Sequence, residues 1–285
     1  MLLFVVPVKS PKLSRDWPLA GRLFERCVRS ICAQTSPDFR VVVVCNERPP
    51  STFEHPNLEY LEVDFPVPAQ RRSDETMTAG YDYGLSAEIA RKNADKARKL
   101  RTGLDYGARY HPTHSMAVDA DDCVSHRLAD FVKQHPQAPG WYFRKGFIYP
   151  EGGCLMYLNV KNFNQTCGSS ALIRFDRRDI SFENPDFYAH CFDQPPLLPL
   201  PFPGAIYSVA NGDNIYMTAD TKAQIQGSLW QKVFSPALPR LVLKALKYRP
   251  ALVTRGVREE FGLYAIQRDA WEQGSHAADA CLRST

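Results

Sequence analysis

The chain opens with Leu2 to Val8, an unbroken apolar and β-branched run closed by Lys9-Ser10-Pro11, and a run of that length bounded by turn residues predicts a strand. From Leu19 to Gln34 the period changes. Leu19, Leu23, Cys27, Ser30 and Ile31 recur at helical spacing, which assigns Arg22, Glu25, Arg26 and Arg29 to the solvent side of an amphipathic helix. Ser36-Pro37-Asp38 ends it. Phe39 to Cys45 (FRVVVVC) is then a near-continuous β-branched run, as in strands covered on both faces. Strand, helix and strand in this order predict a βαβ unit of parallel sheet.

Leu58 to Val63 alternates weakly and predicts a third strand, whereas from Pro66 to Gly84 the period fails and a mobile loop containing Arg71, Arg72, Ser73 and Asp74 is expected. Ser86 to Leu104 predicts a helix with a narrow apolar face and a basic outer surface. Beyond it, Ser115 to Val118 reads as the end of a buried strand. Arg127 to His135 predicts a short helix stopped by Pro136, and Trp141 to Tyr149 one aromatic strand turning at Pro150-Glu151-Gly152-Gly153 into Cys154 to Val160. Short strands are expected over Ala171 to Phe175 and Ile206 to Val209, separated by an aperiodic, proline-rich loop over residues 181–204. The tail differs in kind. Leu229 to Arg255 mixes large apolar residues with Lys232, Arg240, Lys244, Lys247 and Arg249, predicting basic amphipathic helices broken by Pro236, Pro239 and Pro250, able to dock on the domain itself, to pack on a partner or to lie peripherally on an anionic membrane.

Composition narrows the picture modestly. With 285 residues and 44% hydrophobic content the chain can bury a full core, and a net charge of +4 gives no indication of a nucleic-acid partner. The apolar run at the start lacks the basic region and cleavage site of a secretory signal, and no stretch approaches the roughly 20 apolar residues needed to cross a bilayer. Eight cysteines without a C-x-x-C pair argue against a zinc ribbon or a disulfide framework, so reduced thiols and a cytoplasmic location are expected.

The chemistry concentrates in Met116-Ala117-Val118-Asp119-Ala120-Asp121-Asp122, where an apolar strand ends in three carboxylates. If the backbone stays extended, Asp119 and Asp121 lean the same way while Asp122 points elsewhere. Carboxylates so close repel, and the remedies are a raised pKa, a basic partner or a hard divalent cation that shares its remaining positions with a diphosphate. A solvated turn capping the helix that follows Ser125 explains the same spacing.

FVVPVKS, then Arg26-Cys27-Val28-Arg29-Ser30-Ile31-Cys32-Ala33-Gln34 with its C-x-x-S-I-x-x-Q spacing, then Phe39 to Asn46, closely resembles the opening of GT-A nucleotide-sugar glycosyltransferases. Asp95 to Lys99, Gly103 and the run into Asp119-Ala120-Asp121 resemble that family's approach to its D-x-D metal motif; the match spans residues 1–135 and, more loosely, 140–214. The resemblance implies an α/β GT-A fold: a mixed, mostly parallel sheet between helices. It also implies a domain over residues 1–225, divided at 122/123 into donor and acceptor halves, ahead of a helical basic extension over 226–285. It implies Mn²⁺ or Mg²⁺ as cofactor, held by Asp121 and Asp119, and a UDP-, GDP- or TDP-linked sugar transferred to the hydroxyl of a glycan or other acceptor. Inverting chemistry is favoured. Pro7, Val8, Asn46 and Glu47 match positions that hold the nucleoside, Asp119 reaches the ribose, and Arg71, Lys96 and Lys99 are the basic residues for the phosphates, with a solvated helix face the other reading of the two lysines.

The chain departs from the family in two places. Where relatives carry a late histidine on the metal, it has Asn211-Gly212-Asp213-Asn214, so Asn211 or Asp213 takes that role, with Asn211 the preferred ligand, unless this is simply a tight turn. The carboxylate base falls among Asp176, Asp179, Asp186, Asp193 and Asp213, of which Asp213 and Asp193 are preferred. Gly168-Ser169-Ser170 resembles the approach to an acceptor pocket, with Trp141, Tyr142 and Tyr149 either stacking on sugars or filling the core. Two competing functions remain open: an aspartate-dependent phosphotransferase, and a nucleotide-sugar or glycan binding protein without catalysis.

Overall fold

A computed structural model describes residues 1–67, 83–177, 197–209, 211 and 248–266. Its centre is β1 (Leu2–Pro7), every residue of which is buried. Alternation divides that strand between two layers: Leu2, Phe4, Val6 and Val8 pack with α1 (Trp17–Cys32), while Leu3 and Val5 face α2 (Tyr83–Gly107). β2 (Phe39–Cys45) divides likewise, Val41, Val43 and Cys45 lying on the α1 side and Val42 and Val44 on the α2 side. Each such side chain removed from water contributes about 1.5–3 kcal/mol. A sheet buried on both faces is therefore the stable outcome of these β-branched runs.

Asp16 caps α1, its Oδ1 accepting from Leu19 N at 2.8 Å, and Pro18 occupies the first turn, where no N–H partner is needed. On α2, glycine lets the helix approach the sheet. A Cβ on Gly103 would lie 2.4 Å from a Val5 methyl carbon, and one on Gly107 2.3 Å from Leu3 Cδ2.

In the first sheet the order is β10-β6-β9-β4-β1-β2-β3, comprising also β3 (Leu58–Glu62), β4 (His114–Ala117), β6 (Gly140–Tyr142), β9 (Ala171–Arg174) and β10 (Leu198–Pro199). β4, β1, β2 and β3 run parallel; β9 is antiparallel to both β4 and β6. The expected mixed, mostly parallel sheet flanked by helices is thus present. A second sheet, β12-β8-β7-β11-β5, uses β5 (Cys123–Val124), β7 (Gly146–Pro150), β8 (Leu155–Asn159), β11 (Ala205–Val209) and β12 (Tyr248–Leu252). Its Cys123, Tyr149, Met156 and Ile206 pack on Phe261 and Leu263, around α4 (Arg255–Phe261). The short α3 (Leu128–Gln134) adds Leu128, Ala129 and Val132 to the main core.

Three readings of the pattern need correction. The single aromatic strand over Trp141 to Tyr149 is two strands in different sheets, because Phe143 is fully buried in the main core, its N–H donates to Ser170 O and the chain turns there. Arg26 does not face solvent; it is fully buried. Residues 248–252 form β12 against β8 rather than a helix, and Pro250 is tolerated because that strand lies at the sheet edge. The rest of the expected basic helices, residues 229–247, and most of the loop containing Arg71 fall outside the described residues. The six described cysteines are free thiols, and among the described residues no helix is long and apolar enough to cross a membrane.

Candidate active site

The crossover from β3 through α2 to β4 reverses the direction in which strands are added, since β2 and β3 extend one side of β1 and β4 lies on the other. Open α/β sheets bind ligands in the crevice outside the carboxyl ends of strands at such a switch point. At the end of β1 this crevice holds Pro7 and Val8, with Val8 N donating to Val44 O at 2.9 Å. The end of β4 contributes the aspartates.

The acid segment does not stay extended. Asp122 N donates to Asp119 O at 3.0 Å, closing a turn that gives the three carboxylates different surroundings. Asp122 is withdrawn completely: it is fully buried, Oδ2 accepting from Ser169 Oγ at 2.6 Å and Cys167 Sγ at 3.2 Å, and Oδ1 accepting from Ser208 N at 3.2 Å. Burial, then the charges of Asp121 and Asp119, push its carboxyl well above the usual range against the pull of those hydrogen bonds. Asp119 stays 27% exposed, its carboxylate ion-paired with Lys96 Nζ and its backbone N–H donating to Ser169 Oγ at 2.8 Å. Asp121 is half-buried, and its Oδ2 accepts from Asn211 Nδ2 at 2.7 Å. The turn therefore retracts one acid and presents two.

The polar residues of the α1 signature hold this segment in place. Cys27 Sγ donates to Asp119 O at 3.4 Å, Ser30 Oγ accepts from Val124 N at 3.1 Å, and Gln34 bonds Ser125 O at 3.0 Å and Ala129 N at 2.8 Å. Cys27 and Ser30 on one face of α1, and Gln34 two residues past its end, thus tie down both flanks of the acid turn. The i, i+3, i+7 spacing is visible in the sequence. Its purpose is not, because the bonding partners lie about 90 residues away.

Of the positions expected to hold a donor, Pro7, Val8, Asn46, Lys96, Lys99 and Asp119 gather along this edge. Lys99 is neither solvated nor turned outward; its buried Nζ donates to Val8 O and Asp95 Oδ2, both at 2.9 Å, fixing the loop that leaves β1. Asn46 donates to Val63 O and Phe65 O, while its Oδ1 is buried without a hydrogen-bond partner among the described residues. Glu47 is exposed. Arg71 and the preferred bases Asp193 and Asp213, like Asp179 and Asp186, lie outside the described residues. Asp176 is paired with Arg174 beside the start of β4, at the opposite end of that strand from the acids. Ser169 serves the acid turn rather than an acceptor pocket, and Trp141 and Tyr149 are core residues, 3% and 2% exposed. Tyr207, which no pattern singled out, lies near the acids: burial and then Asp122, Asp121 and Asp119 raise its hydroxyl far above its usual range.

No family model matches this chain, and no curated protein sequence does. Among solved structures it is similar to the S. aureus TarS 1-349 crystal structure at 12% identity, over 73% of this chain and 60% of that one, with a TM-score of 0.42. A second S. aureus TarS crystal structure matches at 13% identity over 73% and 37%, with a TM-score of 0.39. The chain therefore spans less than two thirds of either.

Proposed function

We propose that this protein is a GT-A-type glycosyltransferase that moves a sugar from a nucleoside-diphosphate donor to an acceptor hydroxyl. The observation carrying this reading is the acid turn itself: Asp119 and Asp121 are presented at the switch-point crevice between β1 and β4, while Asp122 is locked inward. A turn built only for solvation has no reason to sort its carboxylates in this way.

The donor set suits Mn²⁺ or Mg²⁺. Two partly exposed carboxylates are hard oxygen donors, and such ions are commonly held by one or two carboxylates together with phosphates and water, whereas Asn211 turns its Nδ2 to Asp121 and would offer its oxygen only after its amide rotates. Among the described residues no group of three or more His, Cys, Asp or Glu side chains could hold a metal ion by itself. A cation on Asp119 and Asp121, with Asn211 beside them, would neutralise the diphosphate leaving group. The remaining work belongs to the chain. Lys96, released from Asp119, supplies positive charge toward the phosphates, and Lys99 holds Val8 O so that the loop after β1 keeps its shape against the nucleoside. The Oδ1 of Asn46, buried and without a partner among the described residues, is an acceptor that the ring N–H of uracil, thymine or guanine would satisfy equally if a base opened a way to it. Asp213 or Asp193 is the proposed base for an inverting transfer.

Thermal-shift measurements with UDP, GDP and TDP, each with and without Mn²⁺, test the donor site, because a ligand that binds only the folded state raises Tm. One of the three with Mn²⁺ should give the largest rise, and the matching nucleotide sugar should release free nucleotide. A folded protein that responds to none of them refutes the reading; binding without release identifies a binding protein instead.

A further inference from the structure

Arg26 is fully buried, and its guanidinium forms a two-pronged pair with the buried Glu151, Nη1 to Oε1 at 2.9 Å and Nη2 to Oε2 at 2.7 Å. The same nitrogens donate to Tyr264 O and Ser208 Oγ, both at 3.0 Å. One side chain of α1 therefore grips the β7–β8 turn, the end of β11 and the segment after α4. As a device for stability this is poor, since desolvating both charges offsets much of their attraction, and Arg26 Nε is in addition buried without a partner among the described residues. What the pair does provide is direction. Ser208, held by Arg26 through its hydroxyl, donates its N–H to Asp122 Oδ1 at 3.2 Å and accepts at its carbonyl from Asn211 Nδ2 at 3.4 Å; Asn211 in turn donates to Asp121.

We propose that Arg26 and Glu151 are positioning residues that set the end of β11 against the acid turn, and through it the affinity of Asp119, Asp121 and Asn211 for a divalent cation. The inference rests on the donor-site reading above. Ser208 is the joint: one neighbour orders the withdrawn acid, the other the presented one. The planar guanidinium makes four hydrogen bonds, two to Glu151 and one each to Tyr264 and Ser208, one more than the three donors of an ammonium allow.

The test compares the wild type with an Arg26→Met/Glu151→Leu double variant, which removes both buried charges together, and with Arg26→Lys. Mn²⁺ binding in the presence of UDP is read by calorimetry, fold stability by thermal unfolding, and local order by amide hydrogen exchange over residues 119–125 and 205–209. Expected for the double variant is a Tm close to wild type, Mn²⁺ binding weakened about fivefold, less than the roughly ten- to hundredfold typical of groups bonded directly to a metal ligand, and faster exchange in both segments. Arg26→Lys should fall between. A folded double variant that binds Mn²⁺ within about twofold of wild type overturns the proposal and leaves the donor site standing. If the double variant fails to fold, Arg26→Lys decides: unchanged affinity overturns the proposal and weakened affinity at unchanged Tm supports it. A wild type that binds no Mn²⁺ with any nucleotide overturns the donor-site reading and this inference together.

Discussion

Asp119, Asp121 and Asp122 carry the same group within four residues and behave as three different residues. Asp122 accepts from Ser169, Cys167 and Ser208 inside the core, so Asp122→Ala should strand three donors and lower stability by about 3 kcal/mol in urea unfolding. Asp121→Ala removes a partly exposed partner of Asn211; it should change stability by no more than about 1 kcal/mol while abolishing Mn²⁺-dependent donor turnover. Equal losses of stability in the two variants would contradict the division of roles. His114 makes a separate point about protonation. Its ring bonds Ala138 O at 3.0 Å and is buried, and burial, joined by the N-terminal amine and Arg174, lowers its pKa below 6.5. The unfolded chain then binds the proton more readily than the fold does. The contribution is complete above the unfolded pKa and is lost as pH falls through it toward the folded value. Unfolding midpoints of the wild type should therefore fall between pH 7 and 5 more steeply than those of His114→Gln.

Among the elements, α1 does the most. One stripe of apolar residues packs it on the sheet, and Cys27 and Ser30 on that buried face, with Gln34 just beyond the helix end, fasten the segment from Asp119 to Ala129. α2 works through absence. With no side chain at Gly103 the helix reaches Val5 and Val44, and Gly103→Val should cost about 2 kcal/mol through overpacking, seen as a lower Tm without loss of helical circular dichroism. Strand periodicity was legible wherever one strand kept one environment, as in β1, β2 and β9. It misled over Trp141 to Tyr149, because β6 and β7 are both aromatic and only the burial of Phe143 between them sends the chain from one sheet into the other.

For the whole molecule, the second sheet and the segment after residue 247 close the structure. Phe261 covers Met156, Tyr149 and Cys123; Glu260 accepts from Ser125 and Arg127; Tyr264 O accepts from Arg26. Truncation after residue 247 should consequently abolish cooperative unfolding and produce strong binding of a hydrophobic dye, whereas a tail merely appended to the domain would leave both unchanged. β12 shows why this integration escaped a reading of charge and proline: Arg249 and Pro250 suit a basic broken helix, and they suit equally an exposed edge strand.

The amino-acid order alone determined the βαβ beginning, the helix before β4 and the position of the acid cluster, because these depend on periods and neighbours a few residues apart. Which acid turns inward, why Arg26 is buried and what Lys99 holds were decided only by tertiary structure. Each depends on a desolvated polar group finding a partner tens of residues distant, and local spacing contains no record of that partner.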